Sequence, residues 1–329
     1  MIMIARVTAA RWFVALRRQA EQVVATLPAF MILLIPVLAA MRVLYPWTGP
    51  TVDPRVHAKA AYLSVPFFIV RAVVYVVVWT LLGETLRRIS LAQDRGDSPS
   101  IERRLRATCA VGLIVFAITV SFASFDWMMS LDPAWYSTIY GVDYFAGGMV
   151  GALALLAVLV ARGRSVGELP ASVGADHFHA LAKLLLTFVL FWVYIGFSQF
   201  IVIWSAEIPV ERSWYVVRTR GGWNILAGVV LGGHFVLAFL VLLIRDFKRS
   251  VAAMASLGAL LLVMHYLDVY WIVMPSAPHT GVAGPWLDVG ALMFVGGVAS
   301  VTWSLRRRGE PAVVRGDPLV GASLQYSTD

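Results

Sequence analysis

Residues 250–274 read SVAAMASLGALLLVMHYLDVYWIVM. The stretch holds no Lys, Arg or Glu, and its only carboxyl and imidazole groups are Asp268 and His265. A helix needs about 20 apolar residues to cross the hydrocarbon of a bilayer. A surface helix of a soluble domain keeps one polar face, and this run has none. It also lacks the apolar–polar alternation of a barrel strand. The stretch therefore predicts a membrane-spanning helix, whose backbone groups are all paired internally, as lipid demands.

Outward from it, the pattern recurs at 24–45, 61–82, 107–130, 139–161, 180–204, 222–245 and 287–305, which makes eight spans. Composition agrees. The 329 residues are 60% hydrophobic and 14% charged, with a mean hydropathy of +0.77. An ordinary soluble domain is about 45–50% apolar and about 25% charged. These values exclude a soluble enzyme and a disordered chain, and the single Cys109 excludes a disulfide scaffold. The fold class expected is an all-α polytopic membrane protein.

The net charge of +8 does not point to nucleic acid, because Lys and Arg cluster at the ends of the apolar runs. With both termini on one side, that side receives 20 of the 27 Lys and Arg, among them Arg6, Arg17, Arg87, Arg104, Arg249 and Arg306. The other side receives Arg42, Arg55, Lys59, Arg212, Arg218 and Arg220, and Arg71 falls inside a span. The positive-inside rule then predicts that both termini are cytoplasmic. Residues 1–23 are basic and amphipathic and predict a surface-lying helix. Residues 24–161 and 180–305 carry four spans each, joined by a linker at 162–179, and 306–329 reads as a basic, then flexible, tail. Pro28, Pro36 and Pro66 predict kinks in the first two spans. Gly147, Gly148 and Gly151, Gly228, Gly232 and Gly233, and Gly290, Gly296 and Gly297 predict close helix contacts. Eight of the 12 Trp lie toward the outer side, as an aromatic belt or a face covered by a partner would require.

Ionisable groups inside spans cost about 2.5–3.5 kcal/mol each at the helix centre, so they mark a pathway, a site or an internal pair. Six stand out: Arg71, Asp126, Asp143, His234, His265 and Asp268. Burial favours the neutral form of a carboxyl group, and a nearby guanidinium favours the charged form. A group of this kind can carry protons, and the alternative is an ion pair that fixes helix packing. His265 and Asp268, at i and i+3, share one helical face. His234 and His265 also stand at matched depth, as bis-His haem ligation would need, while His57, His177, His179 and His279 lie in connections. No CxxCH, iron–sulfur cysteine cluster or GxGxxG is present.

Several longer stretches carry a family resemblance. They are SFASFDWMMSLDPAWYSTIYGVDYFAGG (Ser121–Gly148), FWVYIGFSQFIVIWSAEIPVERSWY (Phe191–Tyr215), RDFKRS (Arg245–Ser250) and LDVYWIVMPSAP (Leu267–Pro278), with LYPWTGP (Leu44–Pro50) and AKAAYLSVPFFIVRAVVY (Ala58–Tyr75) before them. Together they resemble the NrfD-like (polysulfide-reductase-type) membrane subunits of bacterial alternative complex III, over about Gln19 to Arg308. The resemblance implies two four-helix bundles in the bacterial inner membrane and a quinol-oxidising assembly that uses quinol or menaquinol as substrate. It implies no cofactor in this chain. Haem c and iron–sulfur clusters would lie in partner subunits, beside a sister NrfD-like subunit, with a terminal oxidase as the next acceptor. By motif position it marks Asp126, Asp143, His265 and Asp268 as proton-transfer residues. Relatives of this type have an additional pair of N-terminal spans ahead of Arg17–Leu27, so the resemblance implies a truncated start or a short branch. Two readings of another class stay open: a stand-alone proton-coupled transporter, and an inert anchor for a redox complex.

Overall fold

The computed structural model describes residues 1–50, 53–96, 99–276 and 285–328. Among the described residues, all regular structure is helical. Eight helices are long and apolar enough to cross a membrane, and they are numbered here as the first to eighth spans: Arg11–Ala39, Val65–Gln93, Pro99–Leu131, Tyr140–Ser165, Ala175–Ala206, Trp223–Leu243, Val251–Ser276 and Trp286–Arg306. The chain is a multi-pass membrane protein.

Local sequence accounts for most of the irregularities. The first span is broken into pieces, and Pro28 and Pro36 each sit in the first turn of a new piece, Leu27–Leu33 and Ile35–Ala39. There a missing N–H removes no internal hydrogen bond. Pro66 does not kink the second span as expected. It occupies that helix's first turn, after an extended Ser64. The fifth span starts earlier than expected, at Ala175, so His177 and His179 are buried in its first turns rather than placed in a connection. His279 lies outside the described residues.

The fourth span is the axis of the molecule. Val150, Leu153, Ala157 and Val160 pack with Leu181 and Leu185 of the fifth span and with Met254, Leu257 and Leu261 of the seventh in one buried cluster. The two expected quartets of spans thus share a core. In lipid such packing is held by dispersion and close approach rather than by release of apolar surface from water. Gly258 of the seventh span shows how close: a Cβ there would lie 2.7 Å from the carbonyl oxygen of Ala154. Close contact also holds at Gly151 and Gly233, while Gly147 has ordinary van der Waals contact. At Gly148, Gly228, Gly232, Gly290, Gly296 and Gly297 an added Cβ would meet nothing within 4 Å, so the expected tight contacts are absent there. The eighth span packs mainly against the first, meets the seventh through Tyr270 and Asp288 and the fourth through Arg162 and Trp303, and is exposed over most of its length, from Trp286 to Leu305.

The terminal segments depart from expectation. Residues 1–23 are not a surface helix. Ile2, Met3, Phe13 and Leu16 are buried, and so are Arg17 and Arg18. The tail is not loose either, since it folds back along the bundle end and contributes a short helix, Val320–Leu324. Asp317 accepts from Arg6 Nη1 at 2.8 Å and from Arg17 Nη1 at 2.6 Å, and all three are buried. Arg17 also pairs with Glu21 at 3.0 Å and donates to Gln93 at 2.9 Å. Arg18 pairs with Glu21 and Asp94, and Arg6 with Glu102. Burial lowers the Arg6 guanidinium from its ordinary value, and Asp317 opposes that shift. Ser323 Oγ accepts the Ala15 N–H at 2.9 Å, and further out Arg87 meets Glu310 and Arg307 meets Glu168. A tail rich in Arg, Gly and Pro reads as solvated. Its Asp317 is ordered because its partners are buried arginines some 300 residues earlier.

Candidate functional site

The six candidate residues fall into two groups. The first is a closed ion pair between the second and third spans. Arg71 reaches Asp126 with two parallel hydrogen bonds, Nε to Oδ2 at 2.8 Å and Nη2 to Oδ1 at 2.8 Å. Tyr75 donates its hydroxyl to Oδ2 at 2.7 Å, and Arg71 Nη1 donates to the carbonyl of Tyr62 at 3.0 Å. The guanidinium lies over the Tyr62 ring at 3.8 Å and the Phe67 ring at 4.3 Å. Each guanidinium nitrogen and each carboxylate oxygen of the pair is engaged, in the fork geometry that suits Arg. This arrangement holds helices together and leaves little free to take up a proton.

The second group is open in its hydrogen bonding. It draws on the fourth to seventh spans. A Cβ on Gly147 would lie 3.4 Å from Trp192 Cδ1, 3.5 Å from Asp268 Oδ2 and 3.5 Å from His265 Cε1, so three side chains converge over that glycine. One turn on, Gly151 makes room for the His265 ring, which a Cβ would approach to 2.8 Å. Over Gly147, Trp192 therefore stands beside the Asp268 carboxylate. The His234 ring lies 4.4 Å from Trp192 and 6.2 Å from His265, between centroids. Asp143 lies beside Gly196 of the fifth span, within electrostatic reach of Asp268. His265 and Asp268 do face the same way, as their spacing predicts, but neither is bonded to the other. Buried atoms without a partner are Asp143 Oδ1, His234 Nδ1, His234 Nε2 and His265 Nδ1. An orphaned buried polar atom costs about 1–3 kcal/mol, so four in one place call for an explanation.

The backbone is irregular here too. Residues Leu231–Leu237 of the sixth span form a π-helix around Gly232, Gly233 and His234. Such segments are uncommon and are found preferentially at functional sites, because they give up regular hydrogen bonding to re-aim a side chain. The small residues allow the detour: a Cβ on Gly233 would collide with Met264 at 2.4 Å.

Toward the end opposite the termini, a polar ladder stands near Asp143. Ser137 donates to Gln199 Oε1 at 2.7 Å, and Gln199 Nε2 donates to the Tyr215 hydroxyl at 3.2 Å. Tyr215 lies within electrostatic reach of Asp143, and burial pushes its hydroxyl up to about 12, so it stays a neutral donor at physiological pH. Arg218, read from sequence as a loop cation, is buried flat against Trp214 at 3.6 Å. It donates to the carbonyls of Trp214 at 3.0 Å and Ile272 at 2.6 Å and to Ser276 Oγ at 2.8 Å. Burial lowers its guanidinium to about 10, which leaves it charged at neutral pH. The outer tryptophans are partly this core. Trp135 stacks on Trp214 at 4.9 Å and Trp47 is buried, while Trp204 and Trp286 are exposed.

Among the described residues, no group of three or more His, Cys, Asp or Glu is placed to hold a metal ion. Comparison with family models and with curated proteins gives no match for the chain.

Proposed function

We propose that this chain is a proton-carrying membrane subunit of a bacterial inner-membrane quinol:acceptor oxidoreductase of the alternative complex III type. The observation that carries the reading is the cluster of Asp143, His234, His265 and Asp268, with four buried polar atoms lacking partners. The sequence resemblance supplies the context: a sister membrane subunit, an iron–sulfur protein and cytochrome c subunits. Oxidation of a quinol to a quinone releases two electrons and two protons. The electrons pass to the iron–sulfur and haem groups of the partners, and a proton needs an acceptor in the membrane. Carboxyl and imidazole groups with free lone pairs suit that task, because each can take and return a proton without breaking an existing ion pair. The chain's own part is to hold these groups at fixed spacing and to link them, through Tyr215, Gln199 and Ser137, toward one face. Both termini are assigned to the cytoplasm by the distribution of Lys and Arg.

The anchor reading draws support from Arg71–Asp126, whose closed geometry suits a structural brace. The two groups therefore predict different phenotypes. In the assembled complex, Asp268→Asn and Asp143→Asn should each lower quinol-linked turnover or proton release about a hundredfold, with assembly intact. Full turnover and proton release in both variants would leave only the anchor.

A further inference from the structure

A second feature lies at the opposite pole of the molecule and does not rest on the proton-transfer reading. At the bundle end that holds the termini, the second and third spans enclose a cleft of about 330 Å³ lined by Thr85, Arg88, Ile89, Ala92, Ile101 and Arg104. Among the described residues, Arg88 and Arg104 are exposed and make no hydrogen bond or ion pair, in contrast to Arg6, Arg17, Arg18 and Arg87 around them, which are all paired. Two free guanidinium groups facing one cleft repel each other unless an anion lies between them.

The surface next to the cleft is apolar and continuous with it. On the second span Val77, Leu81, Thr85 and Arg88 follow one face at helical spacing, and on the third Arg104, Val111, Ile114 and Ile118 do the same. Val77, Leu81, Val111, Ile114 and Ile118 are all exposed. The groove thus has a cationic head and a greasy track that runs into the membrane from it. We propose that this is a binding site for an anionic phospholipid, with its phosphate between Arg88 and Arg104 and its acyl chains along the Leu81 and Val111 stripes. Arg suits a phosphate through its planar fork, and the cleft volume is in the range of small-ligand sites. Basic pockets between spans at a membrane interface are known to select such headgroups.

The test uses the full chain purified in detergent and native mass spectrometry with added phosphatidylglycerol, phosphatidylcholine or inorganic phosphate. The wild type should retain one phosphatidylglycerol in preference to phosphatidylcholine. Arg88→Gln/Arg104→Gln should weaken that retention roughly thirtyfold, about fivefold per arginine. The control Arg95→Gln/Arg103→Gln removes as much charge from the same bundle end, outside the cleft, and should retain the lipid. Inorganic phosphate at millimolar concentration should fail to displace it, because it lacks the apolar track. Equal retention of the two lipids, or equal loss in the control, would overturn the site. Binding of inorganic phosphate alone, dependent on both arginines, would overturn the lipid as its source.

Discussion

Arg71 and Asp126 are visible in the sequence as costly residues inside apolar runs, yet their cost says nothing of their use. The structure separates them from the open cluster by their bonding, since both are fully engaged with each other, Tyr75 and Tyr62. Asp126→Asn should lower stability by about 3–5 kcal/mol, because it leaves a buried guanidinium without its counter-charge. Thermal unfolding in detergent reads this as a fall in the midpoint. Replacing both partners, as Arg71→Met/Asp126→Leu, should recover most of the loss. A double variant as unstable as the single one would mean that the pair has no such brace role. Asp143, His234, His265 and Asp268 are legible for the same reason as Arg71: each is a titratable type in hydrocarbon. Trp192 is not, because an indole counts as apolar until the fold sets it beside Asp268 over Gly147. Arg218 is misread because it follows a span, and sequence position does not disclose that Trp214 and the end of the seventh span close over it.

Helices were legible wherever hydropathy alone determines them. The seventh span runs Val251–Ser276 against an expected 250–274, and the eighth Trp286–Arg306 against 287–305. Their contacts are another matter. Glycine marks where backbones can approach, and only the partner helix decides whether they do. Gly258 faces the Ala154 carbonyl, while Gly296 and Gly297 face open space. The π-helix at Leu231–Leu237 is invisible in sequence, since it shifts hydrogen bonds by one residue without changing composition. Gly258→Ala should push the fourth and seventh spans apart, because the obstructing atom is backbone and cannot rotate away. A loss of about 1–3 kcal/mol is expected in the same unfolding assay. Gly296→Ala, with nothing within 4 Å, serves as the neutral comparison.

At the scale of the whole molecule, eight spans and shared sidedness of the termini follow from apolar runs and an even count. The closure of the terminal end does not. It depends on Asp317, whose partners Arg6 and Arg17 are remote in sequence. Asp317→Ala should release the tail, and limited trypsin digestion should then cut at Arg315 and Arg306–Arg308 well before the wild type is cleaved. Resistance equal to wild type would show that the burial of Val314 and the hydrogen bond of Ser323 suffice. The assignment of that end to the cytoplasm has its own check. In a Cys109→Ala background, a cysteine placed at Ser327 should resist impermeant thiol reagents in intact cells and react once the membrane is opened. Labelling in intact cells would reverse the topology.

Asp317 follows every one of the spans in chain order, and this sets a timetable for synthesis. While the ribosome is still producing the eighth span, Arg6 and Arg17 already stand in the nascent bundle without that carboxylate. The bundle end can lock only after the eighth span has been made. A chain interrupted before Asp317 would leave Arg6 and Arg17 with only Glu102 and Glu21 and the mouth unsealed, a defect open to recognition by membrane proteases.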